Sequence, residues 1–225
     1  DSNNPRSTKA FINFNWMQRN GVDSLYLLYP EYWSMNQANT QINMGVIRNY
    51  KYQKGTGEVT FEMRTPNVWS EFNYSHVQLQ ALNVTNLSKF EIKTRLFGRF
   101  GYGEFPRESA LYLAGAAPEE LYNNKYTRAS GFVPIEWTGF GATANHFHMG
   151  GGLNLRGYAG QAFTTTNNLG IQQFNFFGKS GAAANVEIDF DRFFAFKAGK
   201  MSRYLSLDTY VFGDAGVLTY VNYQG

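Results

Sequence analysis

The residues that could do chemistry gather in the last third of the chain. His146-x-His148 would set two imidazoles on one face of a strand, as some metal sites do, but no third ligand of suitable spacing is near. Polar rim histidines are the plainer reading. His-Glu-x-x-His is absent, Gly150-Gly-Gly is followed by neither Lys-Ser/Thr nor a helical pattern, and no serine lies in Gly-x-Ser-x-Gly. Zinc peptidase, phosphate-cradling and serine-hydrolase chemistry are therefore not expected of these residues, and neither is a cofactor. What remains is a single arginine. Arg156, in Leu155-Arg156-Gly157-Tyr158, follows the three glycines where a strand leaves its sheet for a tightly folded loop. Buried there, it needs an anion. Two downstream runs offer carboxylates that could hold a guanidinium bidentately. Asp208 and Asp214 share the polar parity of residues 206–214, and Glu187 and Asp189 share that of 185–190. The bland alternative is an ordinary surface pair worth under about 1 kcal/mol.

These side chains must be positioned by strands, because strict alternation of side-chain character recurs along the chain. Ala10, Ile12, Phe14 and Trp16 oppose Asn13 and Asn15; Val59, Phe61 and Met63 oppose Glu58, Thr60, Glu62 and Arg64; Val77, Leu79 and Ala81 oppose His76, Gln78 and Gln80. In residues 90–103, Phe90, Ile92, Leu96, Phe100 and Tyr102 face one way and Glu91, Lys93, Arg95 and Arg99 the other. A soluble sandwich would wet the charged row, whereas a membrane barrel would enclose it, and periodicity alone does not choose. Strands of about ten residues or more, with Trp16, Trp69, Phe100 and Tyr102 near their ends, favour the barrel.

Composition narrows the classes further. The chain has 20 Phe, 15 Tyr, 4 Trp and 23 Gly among 225 residues, yet its mean hydropathy is negative. No window reaches the roughly 20 apolar residues of a membrane-spanning helix, so any crossing must use strands. Cysteine is absent, which excludes disulfides and thiolate sites. A net charge of +3, with basic residues scattered singly, makes nucleic acid an unexpected partner. Alternation stops over 104–145, which holds Pro106, Pro118 and Pro134 and a short helical turn at 118–122, and a barrel would carry such a segment as a long extracellular loop.

Beyond the residues themselves, Leu155-Arg156-Gly157-Tyr158 resembles the arginine-glycine-aromatic tip of the loop that folds into the lumen of the BamA, TamA and FhaC superfamily of outer-membrane insertases and translocators. Phe212-Gly-Asp-Ala-Gly216 is similar to that family's Phe-x-Asp-x-Gly wall motif. The resemblance implies that Arg156 pairs with Asp214, with Glu187 in support, and that 150–168 folds into the lumen. It is clearest over residues 150–217. Within the family, the segment from Pro106 to Ala116 gives the chain its nearest look, to the C-terminal barrels of Bacteroidetes membrane alanyl aminopeptidase-like proteins.

The resulting expectation is an all-β, antiparallel transmembrane barrel over residues 1–225, located in the bacterial outer membrane. Its partners would be outer-membrane lipid and other outer-membrane or periplasmic proteins. Alternation begins within the first ten residues, so the family's receiver domains have no counterpart in this sequence, and several C-terminal strands of the family barrel are expected to be missing or supplied by another chain. Three functions stay open: protein assembly or transport, membrane anchoring of a peptidase-like or other partner, and a simple pore or structural barrel.

Overall fold

The computed structural model describes residues 6–20, 33–114, 117–123, 151–158, 164–166, 172–174, 177–190 and 209–220. In chain order the strands are β1 (Thr8–Gln18), β2 (Ala38–Tyr52), β3 (Gly55–Pro66), β4 (Tyr74–Leu87), β5 (Phe90–Gly103), β6 (Leu111–Tyr112), β7 (Thr164–Thr166), β8 (Gln172–Phe174), β9 (Phe177–Asp189) and β10 (Tyr210–Tyr220). One short helix, α1 (Pro118–Asn123), occupies the turn read at 118–122. Among the described residues no helix is long and apolar enough to cross a membrane.

Seven long strands form an antiparallel meander in the order β1-β2-β3-β4-β5-β9-β10, with β6 added beside β9 and β7-β8 a separate pair. The all-β antiparallel architecture follows from the alternation. Closure does not: among the described residues the sheet is open, with β1 and β10 at its edges and no ladder joining them. Two-residue hairpins at 53–54 and 88–89 close one end of the sheet, and Ser88 takes the positive φ (49°) that such tight turns demand. The turn 67–73 and the departure of the chain from β5 at Gly103 lie at the other end.

The alternating residues sort onto two unlike faces. On one, Ile12, Phe61, Leu79, Leu96, Phe100 and Val217 are exposed, Ile12 to 78% and Phe100 to 73%. On the other, Gln41, Asn43, Arg64, His76, Arg99 and Asn185 are buried, His76 to 2%. That is the reverse of a water-soluble domain, where large apolar side chains go in and charged ones stay out. Cross-strand partners share a face, so the register joins Ile12 to Met44, Phe61 to Val46 and Leu79 outside, and Asn43 to Arg64 and His76 inside.

The polar face is buried because chain lies on it. At Gly103 (φ +93°) the backbone turns off β5, and residues 105–114, 117–120 and 151–155 pack against the sheet. A small apolar core forms beneath them from Phe97, Leu111, Tyr112, Leu113, Leu153, Leu155, Phe177 and Ala183. Phe97 departs from the charged parity of its strand for this reason. It lies under the inserted chain, and its ring carries the Arg95 guanidinium at 4.6 Å.

Candidate functional site

Arg156 sits in a single 3-10 turn (Arg156–Tyr158) directly above β9 and β10. Its Nε and Nη2 donate to Asp214 Oδ2 and Oδ1 at 3.0 and 2.9 Å, a two-pronged contact that a planar guanidinium makes and an ammonium does not. Nη1 donates to Glu187 Oε2 at 2.8 Å, and the Phe212 ring lies 4.0 Å from the guanidinium carbon. Asp214 and Glu187 share the covered face because the register pairs Asp214 with Asn185 and Phe212 with Glu187. The backbone joins in. The amide of Arg156 donates to Asp214 Oδ2 at 3.0 Å, so one carboxylate holds both the side chain and the turn that carries it.

The rest of the motif positions this contact. Leu155 is buried in the apolar core and its amide donates to the Leu113 carbonyl at 2.8 Å, while Leu153 does the same to Tyr112 at 3.0 Å. A Cβ at Gly216 would come within 2.8 Å of the Ala182 carbonyl and 3.1 Å of Leu155, so glycine there lets the loop approach the wall. Gly157 has open space around it and Tyr158 is half exposed. Asn154 holds a positive φ (52°) that turns its carbonyl to Asn185 Nδ2, which donates to it at 2.9 Å and to Asp214 Oδ1 at 3.0 Å.

Arg95 was one of a row of charges in the sequence, with nothing to single it out. It donates to the carbonyls of Gly152 (2.7 Å) and Leu153 (3.3 Å), to Asn185 Oδ1 (3.0 Å) and to Gln80 (3.0 Å), and so holds the turn that precedes the motif. Lys93 bridges to Glu187 at 3.1 Å and lies 3.8 Å from Glu91 and Asp189. Glu187 therefore faces two cations, Lys93 across the ladder and Arg156 from the turn above it.

A second polar cluster holds the earlier part of the inserted chain over β2 to β5. Glu108 accepts from the Ser34 amide and hydroxyl at 3.1 and 3.0 Å and from Asn39 at 3.0 Å. Ser109 donates to Glu119 at 2.6 Å, Glu119 is paired with Arg64, and the Tyr74 hydroxyl donates to Asn39 at 3.1 Å. Burial pushes the Glu108 carboxyl above its usual range, against its hydrogen bonds, and burial likewise raises Glu120. Next to this cluster lies a polar cavity of about 590 Å³ lined by Asn13, Asn15, Asn43, Glu62, Arg99 and Glu120. Among the described residues, the Asn43 side-chain oxygen and both His76 ring nitrogens have no hydrogen-bond partner.

Asp208, His146, His148 and Gly150 lie outside the described residues. Among those described, no three His, Asp or Glu side chains group as metal ligands would. The arrangement is built to hold a segment of chain: it contains a clamp, a carbonyl-capping arginine and a buried acidic anchor. No protein-family model, curated protein or solved structure matches the chain.

Proposed function

We propose that this chain is wall and plug of a bacterial outer-membrane β-barrel of the insertase and translocator superfamily, acting in outer-membrane protein assembly or transport. The observation that carries the reading is the inverted sheet: exposed aliphatic and aromatic rows on one face, buried charges and amides on the other. Chain burial of that polarity suits a solvent that is itself apolar. Aromatic pairs mark a belt at each end of the bare face, with Phe61 between them. Trp16 stacks on Trp69 at 6.5 Å near one end, and Tyr50 on Tyr52 at 6.3 Å near the hairpin end. From Thr40, opposite Trp16, to Tyr52 is about 40 Å along β2 at roughly 3.3 Å per residue, or about 28 Å across a layer at about 45° tilt. A hydrocarbon slab has about that thickness.

Membership of the superfamily rests on the Arg156 clamp, since its two motifs meet at hydrogen-bonding distance across 58 positions of sequence. A segment held this firmly on the polar face would leave little of it as an open pore, which favours the translocator reading over simple conduction. The barrel would be completed by strands beyond β1 and β10. The test is a gel in detergent: the full-length protein should resist SDS and migrate faster before boiling than after, and should need an amphiphile to remain monomeric. A polypeptide that is monomeric in plain buffer would overturn the proposal.

A further inference from the structure

Arg48 is the odd residue of the bare face. Every other residue that the seven long strands present there is apolar, aromatic, small or uncharged among the described residues, and Arg48 alone is charged. It is exposed, it lies opposite Thr8 and Val59, and its one hydrogen bond among the contacts described is to the Thr8 hydroxyl, a neutral acceptor. Among the described residues, no carboxylate shares that face with it. Two residues further along the same side of β2 comes Tyr50, followed by Tyr52, so the guanidinium sits just inside the hairpin-end aromatic belt, where a long stem can carry its charge outward to the polar layer.

Among the described residues, the exposed charge around that end is one-sided. Arg6, Lys9, Arg48, Lys51, Lys54 and Lys89, contributed by the neighbouring starts and hairpins of β1 to β5, are all exposed. The described acids near this end, Glu58, Glu91 and Asp189, are half-buried on the covered face, and the exposed acids of the described residues, Glu71 and Glu104, belong to the opposite end. A cation on a lipid-facing surface is costly unless an anion meets it at the interface. A rim of cations draws anionic headgroups.

Building on the membrane reading above, we infer that Arg48 and the surrounding basic rim form a binding site for the phosphate headgroups of anionic phospholipid in the leaflet beside the short hairpins. The phosphodiester would take the guanidinium donors that Thr8 leaves over, with Lys54 and Lys89 supplying charge from the turns and the tyrosine pair packing on the glycerol region.

The full-length protein, reconstituted in phosphatidylcholine vesicles, tests this with spin-labelled phosphatidylglycerol against spin-labelled phosphatidylcholine, the protein-associated fraction of each being read by electron spin resonance. Phosphatidylglycerol should associate more tightly, by about fivefold for the Arg48 contribution, and the preference should shrink as salt is raised. Arg48→Gln should remove that factor, Arg48→Lys should keep most of it, and Lys54→Gln with Lys89→Gln, both positions lying in the turns, should lower it in a protein whose strand residues are unchanged. Equal association of the two lipids with the wild type at low salt, or a preference unchanged in both Gln variants, overturns the site while leaving the barrel intact. Absence of any protein-associated lipid signal with either probe strikes instead at the membrane reading beneath it.

Discussion

The inserted chain is held at two places that solve the same problem differently. Over β9 and β10, Arg156 is clamped by Asp214 and Glu187; Arg156 and Glu187 keep some contact with solvent, Asp214 is nearly covered, and four separate hydrogen bonds converge on it. Over β2 to β5, Arg64, Glu119, Ser109, Glu108 and Asn39 form a connected network, nearly all of it out of solvent. The clamp can lose a partner and rehydrate what is left, whereas the network cannot. A buried charge deprived of its counterpart keeps the desolvation penalty and loses the attraction.

The comparison breaks most visibly at Arg64. Arg64→Met should destabilise the folded protein by about 3–5 kcal/mol, because Glu119 stays buried without its cation, and adding Glu119→Leu should recover much of that loss. Equilibrium unfolding in urea, from a detergent-folded state, measures both. A cost for Arg64→Met similar to that of an exposed pair would erase the distinction between the two anchors.

At the clamp the expected losses are smaller and shared. Arg156→Ala and Asp214→Ala should each loosen residues 151–158 by about 1–3 kcal/mol, and the double variant should cost much less than the sum. Protease susceptibility of that segment is the readout, with the strand ladder followed separately. Strictly additive losses would mean that the two side chains do not act as one unit.

A pH titration sharpens the contrast further. Burial raises the Glu108 carboxyl above its value in the unfolded chain, so the folded state binds the proton more tightly there. The stabilisation this gives is complete below the ordinary carboxylate range, about pH 4.3, and declines as pH rises through the raised value. Hydrogen exchange over 107–120 should therefore quicken as pH is raised through that window after correction for the intrinsic rate, and Glu108→Gln should flatten the slope. Protection that grows with pH in that segment would contradict the sign.

Much of the fold was legible because strand parity is a local property. The split of residues 58–64 and 90–103 into apolar and charged rows needs only the two-residue period, and both splits describe the faces of β3 and β5. Phe97 shows where that stops. Its parity is that of Arg95 and Arg99, and its apolar surroundings come from Leu111, Leu153 and Leu155, tens of positions away. In the same way the stretch from Phe105 to Ala114 carries no strand-like pattern, and it is buried by contacts with β2, β4 and β9 that no window of sequence contains.

Arg156 makes the division sharper. Residue type and spacing determined that it needs an anion and that Asp214 and Glu187 share a parity from which to supply one. Tertiary structure decided that both do so at once, that Phe212 lies against the guanidinium, and that Arg95, Asn185 and the Glu108 cluster carry the rest of the segment. The physical reason is range. Alternation is set residue by residue by the pleat of the backbone, but which carboxylate meets which cation depends on ladder register and on a chain crossing the sheet, and both are fixed by the sum of contacts between distant parts of the sequence.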